Sequence, residues 1–152
     1  QPRSRGLGDV YKRQAYVRLP LSFPDVAALE SHLRQVHAPF GPLTDAQWRH
    51  LAETSARALP DGRFGLHYDP GIAVPFEHSP TGPVDLSMVW SRVSVPTLLI
   101  RGADSDILDA ETAADMATRP GVSLAVLPGI GHAPALMETG QIALVAEFLA
   151  GM

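Results

Sequence analysis

The chain contains no cysteine among its 152 residues. That absence excludes disulfides, thiol catalysis and thiolate zinc sites. Charge is sparse, at 18% of residues, and aromatic residues make up only 7%. With 45% hydrophobic residues, this composition fits one packed globular domain rather than a disordered chain. No apolar run approaches the roughly 18 residues that a membrane span requires. The N-terminus also lacks the charged-then-apolar order of a secretory signal. We therefore expect no membrane partner and a cytoplasmic location.

Lysine is nearly missing as well. The one lysine, Lys12, lies in "QPRSRGLGDVYKRQ", residues 1–14, with three of the arginines. The remaining residues carry eight basic and fifteen acidic side chains, a balance of −7. Such a surface repels phosphate backbones, so nucleic acid is not an expected partner. Residues 1–14 show no periodicity, differ in composition from the rest and do not begin with Met. They resemble a translated adapter, and we expect a non-native or disordered leader there.

From residue 15 the chain reads in two parts, 15–83 and 84–152. In the first, "SFPDVAALESHLRQVH" places Val26, Leu29, Leu33 and Val36 on one helical face, with Pro24 and Asp25 at its start. "HAPFGP" breaks the helix. "LTDAQWRHLAETSARAL" opens with Thr44 and has Gln47 three residues on, a capping-box pattern. It predicts a helix with Trp48, Leu51 and Leu59 on its apolar side, stopped by Pro60, Asp61 and Gly62. "RFGLHY" reads as extended chain. Residues 69–83, with four prolines and two glycines, read as a surface connection.

The second part alternates helix and strand. "DLSMVWSRV" predicts a short helix with Leu86, Val89, Trp90 and Val93 inward. "VPTLLIRG" and "VSLAVLPG" read as strands buried on both faces, as in a parallel sheet. "DAETAADMATR" predicts a helix capped by Asp109. "GQIALVAEFLAG" predicts a closing helix with Ile142, Val145, Phe148 and Leu149 on its inner face, and Met137 before it is expected in the core. Short loops between these elements argue an α/β sheet.

In an open α/β sheet, catalytic groups gather beyond the carboxyl ends of the strands. Those ends carry "RGADSDIL" and "PGIGHAPAL". Asp104, Asp106 and His132 are thus expected on one rim. A carboxylate beside a histidine fixes the imidazole tautomer and stabilises the imidazolium that forms when the ring takes a proton. His32, His37, His50, His67 and His78 fall on or near predicted helices and loops without ligand spacing, so we expect no metal site. "GIGHAP" lacks the third glycine of a G-x-G-x-x-G turn, which disfavours a nucleotide-binding reading, and we expect no cofactor.

Residues 95–149 resemble the C-terminal segment of the α/β-hydrolase fold. "VPTLLIRGADSDIL" is similar to the strand and loop that bear the family's acid, "VLPGIGHAPALM" to those that bear its histidine, and "QIALVAEFL" to its last helix. Residues 16–76 resemble the helical cap and return segment of a bacterial subgroup. The resemblance implies the C-terminal half of a hydrolase sheet preceded by a helical cap. It implies His132 as general base and Asp106 as the acid, with Asp104 as the alternative. Since the cap lines the pocket in capped hydrolases, Phe40 and Trp48 become candidate substrate contacts beside their packing role. The family's nucleophile elbow, G-x-S-x-G, does not occur in the sequence. The implied function is hydrolysis of a carboxylic ester or similar acyl bond in a small-molecule substrate, by a triad whose nucleophile lies upstream of Gln1; the 152-residue chain by itself is then inactive. Two alternatives stay open: a non-catalytic interaction module with a hydrolase-like half sheet, and an epoxide or haloalkane hydrolase with an aspartate nucleophile.

Overall fold

The computed structural model describes residues 21–69, 71 and 86–151. The leader expected at 1–14, most of the connection at 69–83 and His78 lie outside the described residues. The described residues group into two compact units, those within 1–29 and 52–92, and those within 30–51 and 93–152.

In the first unit, strands β1 (Ser22–Phe23), β2 (Ala56–Ala58) and β3 (Phe64–Leu66) form an antiparallel sheet in the order β1-β3-β2. The β2–β3 turn closes through Leu59 N–H donating to the Arg63 carbonyl at 2.8 Å. The Arg63 guanidinium then reaches across to β1, bonding Ser22 Oγ at 2.9 Å and Ser22 O at 2.8 Å. This arrangement corrects the sequence expectation for 56–59. "SARAL" has good helix formers, yet Ala56 pairs with Leu66 and Ala58 with Phe64. Sheet pairing overrides local propensity here. Leu86 and Val89, expected inward, are also exposed. Their helix α3 (Ser87–Trp90) is a single turn, too short to present an apolar stripe.

Helix α1 spans Val26–Val36 and begins with Asp25 Oδ1 accepting the Ala28 N–H at 2.8 Å. Helix α2 spans Asp45–Ser55, and the capping box forms: Gln47 Oε1 accepts the Thr44 N–H at 2.8 Å, and Thr44 Oγ1 accepts the Gln47 N–H at 3.3 Å. Leu29, Leu33, Trp48 and Ala52 are buried along these helices, as their spacing requires. Between them Ala38–Phe40 makes one 3-10 turn.

In the second unit, β4 (Thr97–Gly102) and β5 (Val122–Leu127) pair in parallel, Thr97 opposite Val122 and Gly102 opposite Leu127. Helix α4 (Ala110–Met116) connects them and is capped by Asp109 Oδ1, which accepts the Thr112 N–H at 2.7 Å. The strands are not buried on both faces as expected. Ser123 and Val126 are exposed, and residues 97–100 are half-buried, because among the described residues each strand has only the other as a neighbour.

Helix α5 spans Thr139–Ala150. Its covered side is Gln141, Leu144, Val145 and Phe148, while Ile142 and Leu149 are 53% and 61% exposed. The expected inner face is therefore rotated by about one residue. The inner position is taken by a polar residue, Gln141, whose Nε2 donates to Glu138 Oε2 at 3.3 Å. No described helix is long and apolar enough to cross a membrane.

A charge cluster joins residues 30–49. Glu30 is buried and accepts from Arg49 at 2.6 Å and Arg34 at 2.8 Å, and Arg34 also meets Asp45 at 2.8 Å. The Arg34 guanidinium lies 5.7 Å from the centre of the Trp48 ring, within cation–π range. The hydrogen bonds from Arg49, then Arg34, hold the Glu30 carboxyl below its ordinary value. A carboxyl lowered by folding stabilises the fold above its ordinary pKa and loses that contribution as pH falls through the folded value. In urea unfolding, the wild type should therefore be more stable than Glu30→Gln at neutral pH. That difference should shrink as the solution is acidified through the carboxylate range.

Candidate active site

The rim beyond β4 and β5 is built by hydrogen bonds between the two loops that follow them. Ala103 N–H donates to Leu127 O at 2.7 Å, and Asp104 N–H donates to Ile130 O at 2.9 Å. Gly102 makes this approach possible: a Cβ there would fall on the carbonyl oxygens of Gly131 and Ile130. Gly131 has its own constraint. A Cβ there would lie 2.6 Å from Pro39 Cβ, and its N–H donates to Pro39 O at 2.7 Å. The 3-10 turn thus braces the residue that precedes His132. The loop's far end is held too, by Gln47 Nε2 donating to Met137 O at 2.7 Å. Met137 is only partly buried, not the core residue expected.

The loop after β4 is shaped from within. Arg101, 8% exposed, donates from Nε to Leu108 O at 2.8 Å and from its guanidinium to Ala103 O at 3.2 Å. A buried guanidinium is tolerated when its donors are used, and here it gathers both ends of the segment 103–108. Ser105 N–H donates to Gly102 O at 3.1 Å, and Ser105 Oγ accepts the N–H groups of Leu108 at 3.1 Å and Ile107 at 3.4 Å.

His132 is exposed on the loop after β5, and Asp104 and Asp106 are exposed on the loop after β4. The two candidate acids sit one residue either side of Ser105, whose Oγ lies 3.4 Å from His132 Nδ1. Phe40 ends the 3-10 turn and stacks on His37, with ring centres 4.4 Å apart. Burial, then the neighbouring His32, pushes the His37 pKa down. Trp48 is buried beneath Arg34, a packing position. Among the described residues no group of three or more His, Cys, Asp or Glu is arranged to hold a metal ion.

Similar proteins share this arrangement of elements. No family model matches the sequence. A 3-hydroxybutyrate-oligomer hydrolase from Cupriavidus necator is 37% identical over 146 residues, covering 90% of this chain and 50% of that protein. An α/β-hydrolase crystal structure from Novosphingobium aromaticivorans is 34% identical with a TM-score of 0.77, covering 97% of this chain and 53% of the other. A Rickettsia typhi protein assigned as a hydrolase aligns with a TM-score of 0.81 at 25% identity, over 95% and 49% of the two chains. The chain has the α/β-hydrolase fold. It spans about half the length of the relatives it matches.

In this fold the chain presents two candidate loops, 103–108 and 128–138, at adjacent strand ends. Sequence reasoning found both loops but missed four residues that hold them. Arg101 carried a readable signal, since a charge inside the apolar run "TLLIRG" must find partners. Ser105, Pro39 and Gln47 carried none, because their roles depend on loop conformation and on contacts distant in sequence. Gly102→Ala should destabilise the protein by about 1–3 kcal/mol, the usual range for overpacking, because the obstructing atoms are backbone. A lowered midpoint in urea unfolding is the expected result.

Proposed function

We propose that the full-length protein hydrolyses a carboxylic ester through a nucleophile–His–Asp triad, with His132 as base, Asp106 as acid and Asp104 as the alternative acid. The carrying observation is the hydrogen-bonded rim, which sets His132 against the loop of Asp104, Ser105 and Asp106 at the ends of adjacent parallel strands. The relative named for 3-hydroxybutyrate oligomers favours an ester over an epoxide or haloalkane, and favours an enzyme over a non-catalytic module.

In this reading the nucleophile is a serine in a part of the protein outside the present sequence, which has no G-x-S-x-G. His132 Nε2 takes the serine proton as Oγ bonds to the ester carbonyl carbon. The tetrahedral intermediate collapses, the alkoxide leaves with the proton from His132, and an acyl-serine remains. Water then attacks the acyl carbon, giving a proton to His132; collapse of this second intermediate breaks the bond to Oγ, His132 returns the proton to the serine, and the carboxylic acid is released. The acid's part is to hold the ring and stabilise the imidazolium in both halves. Phe40, next to the braced loop, is a candidate substrate contact; Trp48 is proposed as packing.

The test uses the full-length protein with a small activated aryl ester and a 3-hydroxybutyrate oligomer. His132→Ala should lower kcat by about a thousandfold or more, since triad members act as a unit. Asp106→Asn should cost on the order of a hundredfold or more, and Asp104→Asn far less. The 152-residue chain by itself should turn over neither ester. Wild-type turnover by His132→Ala would overturn the reading, and the reverse ranking of the two aspartates would move the acid to Asp104.

A further inference from the structure

We infer that Ile130 is a positioning residue for His132: its side chain, seated on Gly41, locks the turn over 38–41 to the loop that carries the imidazole. The inference rests on the reading of His132 as general base. Gly129 and His132 face solvent, yet Ile130 between them is 3% exposed. Its Cδ1 occupies the place where a Cβ of residue 41 would stand. Gly41 has φ 103° and ψ −173°, a backbone region open essentially to glycine alone. Position 41 thus offers a notch, and the side chain of Ile130 fills it.

The peptide between Ile130 and Gly131 is held from both sides. Its carbonyl accepts the Asp104 N–H at 2.9 Å, and its N–H donates to Pro39 O at 2.7 Å. A peptide unit is planar, so these two bonds and the seated side chain fix its position and its tilt. Only the torsions of Gly131 separate this plane from the His132 Cα, and Gly131 is itself pressed on Pro39, where an added Cβ would lie 2.6 Å from the proline Cβ. Peptide hydrogen bonds exchange with water for a small net gain; the buried isoleucine has no such exchange. Its β-branching also restricts χ1, so the seat of Cδ1 constrains the backbone that bears it. The hole at Gly41 and the knob of Ile130 therefore set where the imidazole stands.

The test is made on the full-length protein with a small activated aryl ester, well below the unfolding midpoint of each variant. Ile130→Val removes Cδ1 alone. It should lower kcat about 3- to 10-fold with KM unchanged, short of the roughly hundredfold that a misplacement of about 1 Å can cost. In protein labelled with 15N-histidine, the His132 ring peaks should move in that variant while those of His50 and His67 stay. Gly41→Ala puts a methyl group where Cδ1 stands and should lower kcat further. Adding Ile130→Val to Gly41→Ala should then raise kcat again, because the atom that the new methyl meets is gone; a loss of stability alone gives no such rise in folded protein. Wild-type kcat or unmoved His132 peaks in Ile130→Val, with His132→Ala inactive, would overturn the inference and leave the base assignment standing. So would a double variant no more active than Gly41→Ala. Should Gly41→Ala not fold, Ile130→Val decides the matter alone. If His132→Ala instead keeps wild-type turnover, the base assignment itself fails and the inference falls with it.

Discussion

The site depends on two backbone hydrogen bonds, from Ala103 N–H to Leu127 O and from Asp104 N–H to Ile130 O. The first carries the parallel pairing of β4 and β5 one residue past Gly102, and the second, outside that register, ties the loop after β4 to the loop after β5. Such bonds need close backbone approach, and the position that permits it is Gly102, where any side chain would meet the opposite carbonyls. Each bond is modest in net energy. Their effect is geometric: they convert strand register into the placement of a histidine against an acidic loop.

Around this stitch the chain spends its polar groups on shape. Arg101, Ser105, Gln47 and Pro39 O all bond to backbone of the two loops or, at Ser105, to the imidazole itself. The helical residues 30–49 are organised separately, by the burial of Leu33 and Trp48 and by Glu30 between two arginines. Pro39 and Gln47 are where that helical segment touches the histidine loop, so the bracing of His132 depends on the turn and the cap of α2.

Much of this was legible from residue order. β4 and β5 follow from their apolar runs, α4 from its Asp109 cap, and α2's start from the Thr44–Gln47 box. The rim with Asp104, Asp106 and His132 follows from the strand-end rule. The errors have specific causes. "ARA" at 56–58 is helical by propensity and became a strand through pairing with β3. The face of α5 was misjudged because Gln141 is 5% exposed while Ile142 faces solvent, a reversal that hydrophobic pattern cannot encode. Ser105 was unreadable because its role arises only when the loop folds back on itself.

Arg101 bonds the carbonyls of Ala103 and Leu108, and so measures the length of the segment between them. An inserted or deleted residue within 103–108 would break one of those bonds and leave a buried guanidinium short of acceptors. Among descendants of this sequence, the segment should therefore change in composition but not in length. Variation in loop length, with whatever substrate range it brings, must then be carried by other connections in the protein.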